Sequence, residues 1–577
     1  MGFPGSAGAS RSVRGTIGVV AVGRALIAAC LWLAASVPAF PQASPLIPPS
    51  EQLGRERFQF RQLPEPLSEP SGPRVALPST VAPEGAENVK LVIRDIRIEG
   101  STVYTHEQLR VLYQDLLGHE VTLSAVYDLA QRITAKYGID GYVLSRAIVP
   151  PQNLTKRGAI IRIQVIEGYV DKVVWPVTLG RFRDFFSYYA AKIIADRPSN
   201  VRTIERYLLL AGDLPGLKFS TSLKASEKNP NAATLFVEVV YKPVDALARI
   251  DNRGTPARGP LQYLGSLTAN NFLGAHDALT VTYAGVVPTR ELEYVAANYR
   301  QVLTAEGLAA FVNASDGYGK PGTAQLDMLE YKTRTIYLDS GLTYPFIRSR
   351  EKNLSVTALF FASDSSSDTF GQPFNEDRLR GGRFKVDFDF ADPWRAINQF
   401  NFTLSQGIHG IGSTDNGNPL ASVLGGRVDF TKFEGLASRT QPIGAGFSAY
   451  LAGYGQYATT QLLTPEQCSF GGRFFGRAFD PSQLLSDSCY MGNAELRYDL
   501  PLFWQLTQVQ LYAFTDGAEM FDRVSSAGMP SWVHAASAGG GLRLGWLSYL
   551  TADLTLAKAL DGPRDDTRLF FAITGKY

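Results

Sequence analysis

The residues of this 577-residue chain whose types and spacing could do chemistry are concentrated between Cys468 and Leu500. The stretch contains a glycine pair, Gly471 and Gly472, where the backbone can adopt positive φ and pack closely. An arginine, Arg477, then lies between small and aromatic residues in Phe475–Phe479. After a polar turn, two faces alternate, one polar (Asn493, Glu495, Arg497, Asp499) and one apolar (Ala494, Leu496, Tyr498, Leu500). Such a strand fits a soluble sheet with its charges in water, or a membrane barrel with its charges toward the lumen.

The remaining sequence offers no pattern that favours catalysis or cofactor binding. The five histidines are scattered, and none stands at metal-ligand spacing: His106, His119, His276, His409 and His534. We find no Ser-His-Asp arrangement and no carboxylate pair with a cleft. The glycine run Gly539–Gly545 lacks both the G-x-G-x-x-G spacing and a βαβ context, so we interpret it as a closely packed strand. The sequence therefore predicts neither an enzyme nor a metal site, and no cofactor.

Length and composition narrow the architecture. A chain of this length predicts about two to four domains. Lys+Arg 56 nearly balances Asp+Glu 54, which gives no electrostatic case for a nucleic-acid partner. Aromatic residues are abundant (26 Tyr, 33 Phe) while only 19% of residues are charged. This mixture suits a barrel with aromatic girdles, although a β-rich soluble protein could share it.

The N-terminal residues 1–39 predict a signal peptide. Arginines precede the apolar run Ala25–Ala35, and small residues favour cleavage after Ala39, with Ala43 as the alternative. No later stretch reaches about 18 apolar residues, so we expect no spanning helix, and the exported chain is either soluble or a barrel. In residues 40–88 we expect a short helix capped by Ser50 and then a proline-rich extended linker.

Two units with the same order of elements follow, at residues 89–168 and 169–243. Each predicts a strand, two helices and two strands. In the first unit, the second helix is predicted over Leu123–Tyr137, with Gly138 just past its end. In the second unit, a helix rich in aromatic residues precedes one that ends near Gly212.

From residue 244 to 577 the sequence reads as strand after strand. Roughly sixteen segments have the alternation and length of a tilted strand that crosses a bilayer. Short turns such as Arg348–Lys352 alternate with longer predicted loops at Gly371–Asp377 and Gly410–Gly425. Closure into a barrel would remove the sheet edges that so large an open sheet exposes. An open sheet or sandwich of the same strands is the alternative.

Several of these features resemble the two-partner-secretion transporters (the TpsB, ShlB/FhaC/HecB haemolysin secretion/activation family). The run Gly471–Phe479, G-G-R-F-F-G-R-A-F, is similar to the family signature G-G-R-Y-T-V-R-G-F. In that family the signature lies at the tip of the sixth extracellular loop, which folds back into the barrel, here at about residues 468–490. Gly476 replaces the usual valine and Ala478 the usual glycine. The two αβ units resemble POTRA domains of the family, and the short helix near residue 50 resembles its plug helix.

The resemblance also implies a site inside the barrel. The segment Val509–Ala518 resembles the strand motif F-x-D-x-G, and period two places Asp516 opposite the apolar face, toward the lumen. In the family this aspartate pairs with the loop arginine, here Arg477, and a bidentate guanidinium–carboxylate bond would hold the loop in place. The loop motif comprises Gly471, Gly472, Gly476 and Phe479. The expected lumenal support comprises Glu495, Arg497, Phe514 and Gly517.

The cysteines and the C-terminus add two further predictions. Cys468 and Cys489 flank the loop and are the only cysteines left after signal cleavage. An exported compartment permits a disulfide between them, with two free thiols as the alternative. The chain ends in Tyr577, and Phe571 and Ile573 share its face, which fits the C-terminal signal by which barrels are recognised for assembly.

Taken together, the resemblance implies α+β periplasmic POTRA domains followed by an all-β barrel of about 16 antiparallel strands in the outer membrane of a Gram-negative bacterium. The implied partners are an unfolded TpsA-like exoprotein, outer-membrane lipid, and the barrel-assembly machinery during biogenesis. The implied function is secretion of the exoprotein through the barrel. The alternatives are a barrel-assembly factor of the same superfamily, whose members usually carry more POTRA domains, and a passive porin, a class that lacks them.

Overall fold

A computed structural model describes residues 47–60, 65–69, 82–176, 179, 183–502, 504–523 and 531–577. The predicted signal peptide and its cleavage sites at Ala39 or Ala43 lie outside these residues, as does most of the proline-rich linker. No helix within the described ranges is long and apolar enough to cross a membrane.

The N-terminal segment forms two short helical turns. A 3-10 helix spans Pro49–Glu51, and helix α1 spans Arg55–Gln59. The predicted cap at Ser50 is wrong, because Ser50 lies inside the 3-10 helix and its hydroxyl donates to Glu51 (3.0 Å). Gly54, with φ of 75°, stands instead at the start of α1. The glycine therefore turns the chain between the two helical turns.

The first αβ domain packs two helices on a four-stranded sheet of order β2-β1-β4-β3. Its elements are β1 Lys90–Glu99, α2 His106–Arg110, β2 Glu120–Thr122, α3 Leu123–Ile139, β3 Arg146–Ile148 and β4 Arg157–Ile166, with 3-10 helices at Ala86–Asn88 and Gln114–Leu116. Helix α3 buries Leu129, Ile133 and Tyr137 against the sheet. It runs through Gly138, one residue past the end that the sequence predicts, and Gly141 takes the positive φ of 98° in the turn that follows.

The second αβ domain repeats the order with a three-stranded sheet, β5-β7-β6. Its elements are β5 Tyr169–Val174, α4 Arg183–Ala195, α5 Val201–Gly212, β6 Leu217–Ala225 and β7 Ala232–Tyr241. Asn200 caps α5 by accepting the N–H of Arg202 (3.0 Å). Buried aromatic and aliphatic side chains of both helices, such as Phe186, Tyr189 and Leu210, form the core.

The rest of the chain closes into a barrel of sixteen antiparallel strands, which confirms the predicted fold. The strands are β8 Val244–Asp251, β9 Gln262–Asn270, β10 Asp277–Val286, β11 Leu292–Val302, β12 Ala309–Gly319, β13 Lys332–Arg348, β14 Lys352–Thr369, β15 Gln372–Ala391, β16 Ile397–Gly407, β17 Thr431–Gly444, β18 Phe447–Ala458, β21 Ser488–Asp499, β22 Leu506–Asp522, β23 Ser531–Trp546, β24 Leu550–Asp561 and β25 Thr567–Lys576. Between β18 and β21 lie a 3-10 helix, Thr464–Glu466, and a hairpin of β19 Cys468–Phe470 and β20 Leu484–Ser486; α6, Ala324–Met328, lies between β12 and β13.

The two faces of the barrel wall differ as the alternation predicts. Outward side chains such as Leu511 and Leu569 are 45% and 59% exposed, whereas inward Asp389 and Asp516 are buried. Apolar side chains that face outward and polar ones that face inward are typical of a barrel whose solvent outside is lipid.

One predicted loop is wrong. Residues Gly371–Asp377 do not form a long loop, because β14 and β15 pair as far as Thr369 and Gln372. The connection is a tight turn of Phe370 and Gly371, both at positive φ (51° and 71°), the geometry of a two-residue hairpin turn. The long loop predicted at Gly410–Gly425 does lie between strands, after β16 and before β17.

The second αβ domain is docked firmly on the barrel. Glu306, in the turn between β11 and β12, accepts hydrogen bonds from Tyr188 (2.8 Å), Arg206 (3.1 Å) and Tyr207 (2.9 Å). Barrel residues Val302 and Ala309 also belong to the buried apolar cluster of this domain. The domain and the barrel therefore share one packed interface.

We expect Glu306→Ala to loosen this docking. Burial alone would raise the pKa of Glu306, but the hydrogen bonds from Tyr188, Arg206 and Tyr207 hold it below its usual value of 4.5. A carboxylate with a depressed pKa stabilises above its unfolded pKa, and the contribution is lost as pH falls through the folded pKa. Hydrogen exchange of peptides from α4 and α5 should accelerate about tenfold at pH 7, and the difference from the parent should shrink as pH falls below about 4.5.

The matched control is Glu227→Ala, which removes an exposed glutamate of the same domain. Equal exchange in Glu306→Ala and the parent at pH 7 would contradict the assigned role.

Candidate functional site: the loop folded into the barrel

The segment between β18 and β21 turns back into the barrel and packs on the inner wall. Its base is the β19–β20 hairpin, in which Cys468 pairs with Ser486. Phe470 and Phe479 are buried with rings 5.5 Å apart. They share one apolar cluster with inward residues of the late strands, including Tyr512, Phe514, Met520, Ala557 and Phe570. The aromatic residues of the loop motif thus position its tip.

The glycines of the motif are required by its backbone. Gly471 has φ of 115°, and a Cβ there would lie 2.0 Å from the carbonyl oxygen of Asp480. Gly476 has φ of 74°, and its Cβ would lie 2.7 Å from the ring of Phe470. Gly472 also has positive φ. The glycine that replaces the valine of the family signature therefore goes with a left-handed turn that a valine would strain.

Arg477 is 4% exposed, and each of its three guanidinium nitrogens donates a hydrogen bond to a side-chain oxygen. Its Nε donates to Asp516 (3.0 Å), Nη1 to Glu495 (2.7 Å) and Nη2 to Asn493 (3.0 Å). The guanidinium also lies 3.5 Å from the ring centroid of Phe514. This arrangement joins the loop tip to two neighbouring strands at once.

The geometry differs from the bidentate bond to one carboxylate that we predicted. Asn493 and Asp516 are directly opposite each other on β21 and β22, so their acceptors spread across the fork of the arginine. The second oxygen of Asp516 accepts a hydrogen bond from Ser537, which leaves one oxygen for Arg477. The guanidinium is shared between two carboxylates.

Glu495 is the centre of the charges around this arginine. Besides Arg477, its carboxylate pairs with Arg497 (2.6 Å) and Arg543 (2.7 Å). Arg543 in turn reaches Asp553 (3.1 Å). Three arginines thus meet three acidic groups, and each buried charge is compensated. Arg543 is a site residue that we do not predict from the sequence, although its place within the glycine run, in alternation on a strand, is a signal for it.

The structure places the other predicted site residues as follows. Arg497 stacks on the ring of Tyr450 (4.6 Å) beside Glu495, in the lumen. Gly517 follows Asp516 on β22, so strand alternation places it on the opposite face, and it belongs to the wall rather than to the lumenal support. At the C-terminus, the backbone of Tyr577 pairs with Ala246 of β8 (2.8 and 3.1 Å).

The remaining C-terminal residues lie on β25, where Ile573 is 42% exposed and Phe571 shares its face. Their role as an assembly signal stays a prediction.

Cys468 and Cys489 are joined by a disulfide with Cα atoms 6.4 Å apart, within the ordinary range. Both residues are buried. The bond ties the base of the loop to β21, the strand that carries Glu495.

The N-terminal segment also lies within the barrel. Arg258 is fully buried and pairs with Glu51 (2.6 Å) and Glu56 (3.1 Å) of the two helical turns. Arg55 donates to the carbonyl oxygen of Thr464, which connects this segment to the folded loop. The sequence predicted the short helix but not its ion pairs, because Arg258 lies in an irregular segment about 200 residues away.

A cavity of about 840 Å³ remains between the helical segment and the loop. Most of the residues that line it are polar or charged, among them Arg57, Asn298, Asp339, Lys385, Glu434 and Arg473. Two separate parts of the chain therefore enter the lumen, and water-accessible space lies between them.

Comparison with known proteins identifies related chains. A family model described as haemolysin secretion/activation protein ShlB/FhaC/HecB matches residues 236–544, and one described as POTRA domain, ShlB-type, matches residues 91–168. The chain is 22% identical over 543 residues to the heme/hemopexin transporter protein HuxB of Haemophilus influenzae (strain 86-028NP), which covers 90% of this chain and 92% of the relative.

Two further relatives have the same overall extent. The outer membrane transporter CdiB of Dickeya dadantii (strain 3937) is 21% identical over 475 residues, with 79% of this chain and 81% of the relative covered. The solved structure of CdiB from Escherichia coli matches with a TM-score of 0.67 and 18% identity, over 88% of this chain and 94% of that chain. The structural likeness shows that these chains share a fold.

We expect Arg477→Ala to release the loop tip. The substitution leaves the buried carboxylate of Asp516 with the Ser537 hydroxyl as its partner, while Glu495 keeps Arg497 and Arg543. Removing Asp516 instead leaves Arg477 with Glu495 and Asn493. Loss of the arginine should therefore destabilise the loop more than loss of Asp516. Hydrogen exchange in peptides covering residues 470–483 should rise in Arg477→Ala, and Arg477→Lys should not restore protection because an ammonium cannot span three acceptors. The double variant Arg477→Ala/Asp516→Ala should exchange no faster than Arg477→Ala.

Effects that multiply in the double variant would mean that the two residues act independently. Arg427→Ala, which removes an exposed loop arginine paired with Asp429, serves as the control for charge alone.

The cysteines should be oxidised to each other in the mature protein. Closing the loop could stabilise the fold by about 3 kcal/mol. Mass spectrometry of a non-reduced digest should recover one peptide pair joined through Cys468 and Cys489. Complete alkylation of both thiols without a reductant would show that they are free.

Proposed function

Because the chain belongs to the ShlB/FhaC/HecB haemolysin secretion/activation family of two-partner-secretion transporters, we propose that it binds one unfolded partner exoprotein through its periplasmic POTRA domains and secretes it through the barrel. The family is one of outer-membrane transporters rather than enzymes, with POTRA domains in the periplasm. The observation that supports the proposal best is the joining of two POTRA-type domains to a closed barrel whose lumen holds a loop anchored by ion pairs.

The second POTRA domain offers an edge suited to an extended polypeptide. Strand β6 pairs with β7 on one side and has no strand on its other side within the described chain. Its residues Lys218–Ala225 are mostly exposed. The free edges of the first domain, β2 and β3, are only three residues long each. We therefore assign recognition to β6, where a segment of the exoprotein would add as a strand.

Hydrogen bonds at both ends of β6 reveal which backbone groups face this edge. Lys242 N–H donates to the carbonyl of Gly216 (2.7 Å), and Ser226 N–H donates to that of Ala232 (3.0 Å). Even-numbered residues of β6 therefore bond to β7, and odd-numbered ones point their N–H and C=O groups outward. Thr221, at the middle of the strand, is one of the outward residues.

Passage through the barrel requires the lumen to widen. The helical segment and the folded loop leave about 840 Å³ between them. The exoprotein would therefore pass only when one of these parts moves. The polar side chains of the lining suit transport of an unfolded chain, because they offer it few apolar binding sites. Since the sequence carries no nucleotide-binding motif, we assign the driving force to folding of the exoprotein outside.

The two alternatives are less well supported. Barrel-assembly factors of the superfamily usually carry more POTRA domains than the two present. A passive porin needs neither a docked POTRA domain nor an anchored lumenal loop.

We expect deletion of the gene to leave one large exoprotein in the periplasm while other outer-membrane proteins assemble normally.

Thr221→Pro removes one outward N–H of β6 without touching the ladder to β7, whereas Thr221→Ala keeps that N–H. Only the proline variant should therefore lower secretion, by several-fold. The measurement is exoprotein in the medium at equal amounts of folded barrel. General loss of outer-membrane barrels in the deletion strain would point to assembly instead, and equal secretion by both Thr221 variants would rule out recognition at β6.

A further inference from the structure

The barrel closes at a seam where its first strand, β8, pairs with its last strand, β25. The ladder at this seam is shorter than the ladders on either side of it. The seam ladder has five residue pairs, from Leu247–Lys576 to Asp251–Ala572, and two backbone hydrogen bonds between Ala246 and Tyr577 follow at its periplasmic end. The ladders on either side have eight and nine pairs. Strand β25 begins five residues before Ala572, at Thr567. Its extracellular half, residues 567–571, therefore has no strand partner on the β8 side.

Past the ladder, one backbone hydrogen bond remains, from the N–H of Asn252 to the carbonyl oxygen of Phe571 (3.3 Å), and the side chain of Asn252 adds two more. Asn252 accepts the N–H of Phe571 (2.7 Å) and donates to the carbonyl oxygen of Leu569 (2.9 Å), which extends the pairing by one residue. Arg253 then turns inward, where its guanidinium lies 4.3 Å from the ring centroid of Phe570. From this point outward, backbone pairing no longer holds β8 and β25 together.

The tip of the folded loop contacts the last-strand side of this gap. Asp480 is 7% exposed and pairs with Arg568 of β25 (2.7 Å) and with Arg564 just before it (3.0 Å). Arg568 also donates to the carbonyl oxygen of Ala478 (3.3 Å). Three contacts therefore join the tip to β25 and the residues that lead into it.

The same loop contacts the first-strand side. Arg473 pairs with Asp251, the last residue of β8, at 2.7 Å, and Asp251 is almost fully buried. Arg253 donates to the carbonyl oxygen of Arg477 (3.4 Å). The loop thus spans the seam, with Arg473 on one strand and Asp480 on the other.

From this geometry we infer that Asp480 and Arg473 are positioning residues that clamp the seam between β8 and β25 at its outer end. The clamp is distinct from the anchor of Arg477, which holds the loop to β21 and β22 on another part of the wall. Charged pairs suit the task because the gap lies beside the lumen, where backbone groups without a strand partner would be hydrated and the strands free to separate. The inference concerns closure of the barrel and does not depend on what the barrel transports.

The test compares Asp480→Asn with Asp565→Asn, an exposed aspartate in the same segment as Arg564. Each variant is made with and without cysteines at Ala248 and Gly575, which are paired across the seam. A Cβ at Gly575 would have its nearest neighbours 4.0 Å away, so a cysteine fits. The full-length protein is purified in detergent, cross-linking is verified by peptide mass spectrometry, and the midpoint temperature for loss of the folded, SDS-resistant form is measured.

We expect Asp480→Asn to lower this midpoint by at least about 4 °C and Asp565→Asn to leave it unchanged. The seam disulfide should restore most of the loss in Asp480→Asn, and the single-cysteine variant Ala248→Cys should not. The seam disulfide should restore Arg477→Ala only in part, because that variant also loses the contacts of the loop to β21 and β22.

Two results would overturn the inference: no decrease in Asp480→Asn, or a decrease that the seam disulfide does not repair, which would assign Asp480 to packing of the loop alone. If too little Asp480→Asn reaches the membrane, Arg473→Gln tests the β8 side of the clamp with the same cysteine pair and the same criteria.

Discussion

The guanidinium of Arg477, shared between Asp516 and Glu495 in the barrel lumen, is the interaction on which the rest of the site depends. The loop between β18 and β21 is almost thirty residues long. Its secondary structure consists of one 3-10 turn and a hairpin of two strands with three residues each. Without strong directional contacts, the entropy of such a loop would favour many conformations. The charged fork selects one, and the stacking of Phe514 under the arginine together with burial of Phe479 leaves little room for another.

The other charged residues of the lumen are paired in the same way as Arg477. A buried ion is costly unless it is paired and hydrogen-bonded, so each inserted part of the chain carries charges that match the wall. Glu51 and Glu56 meet Arg258, while Arg473 and Asp480 meet the first and last strands. Both inserted parts are therefore held by paired charges, and the folded loop is held by apolar packing as well.

The contact between the second POTRA domain and the barrel links the two halves of the molecule. Tyr188 and Tyr207 place hydroxyl groups on Glu306 in a barrel turn, and Arg348 binds Asp213 through two nitrogens (2.7 and 2.8 Å). A polypeptide held on the β6 edge of this domain would therefore be held at a defined position relative to the barrel entrance.

Local sequence patterns determined the elements of this protein, and tertiary structure decided how they meet. Period-two alternation is a property of each strand, so the sixteen-stranded barrel, the inward direction of Asp516 and the outward direction of Ile573 could be predicted from neighbouring residues. The loop motif likewise indicated Arg477 through its resemblance to the family signature, whose residues lie close together in sequence. Local sequence does not indicate the charges that Arg543, Asp480 and Arg258 meet, since each of them pairs with a residue about 50 to more than 200 positions away. Which acceptors share a guanidinium, and how the seam between β8 and β25 is closed, depend on the curvature and register of the closed barrel, and these exist only once all strands have paired.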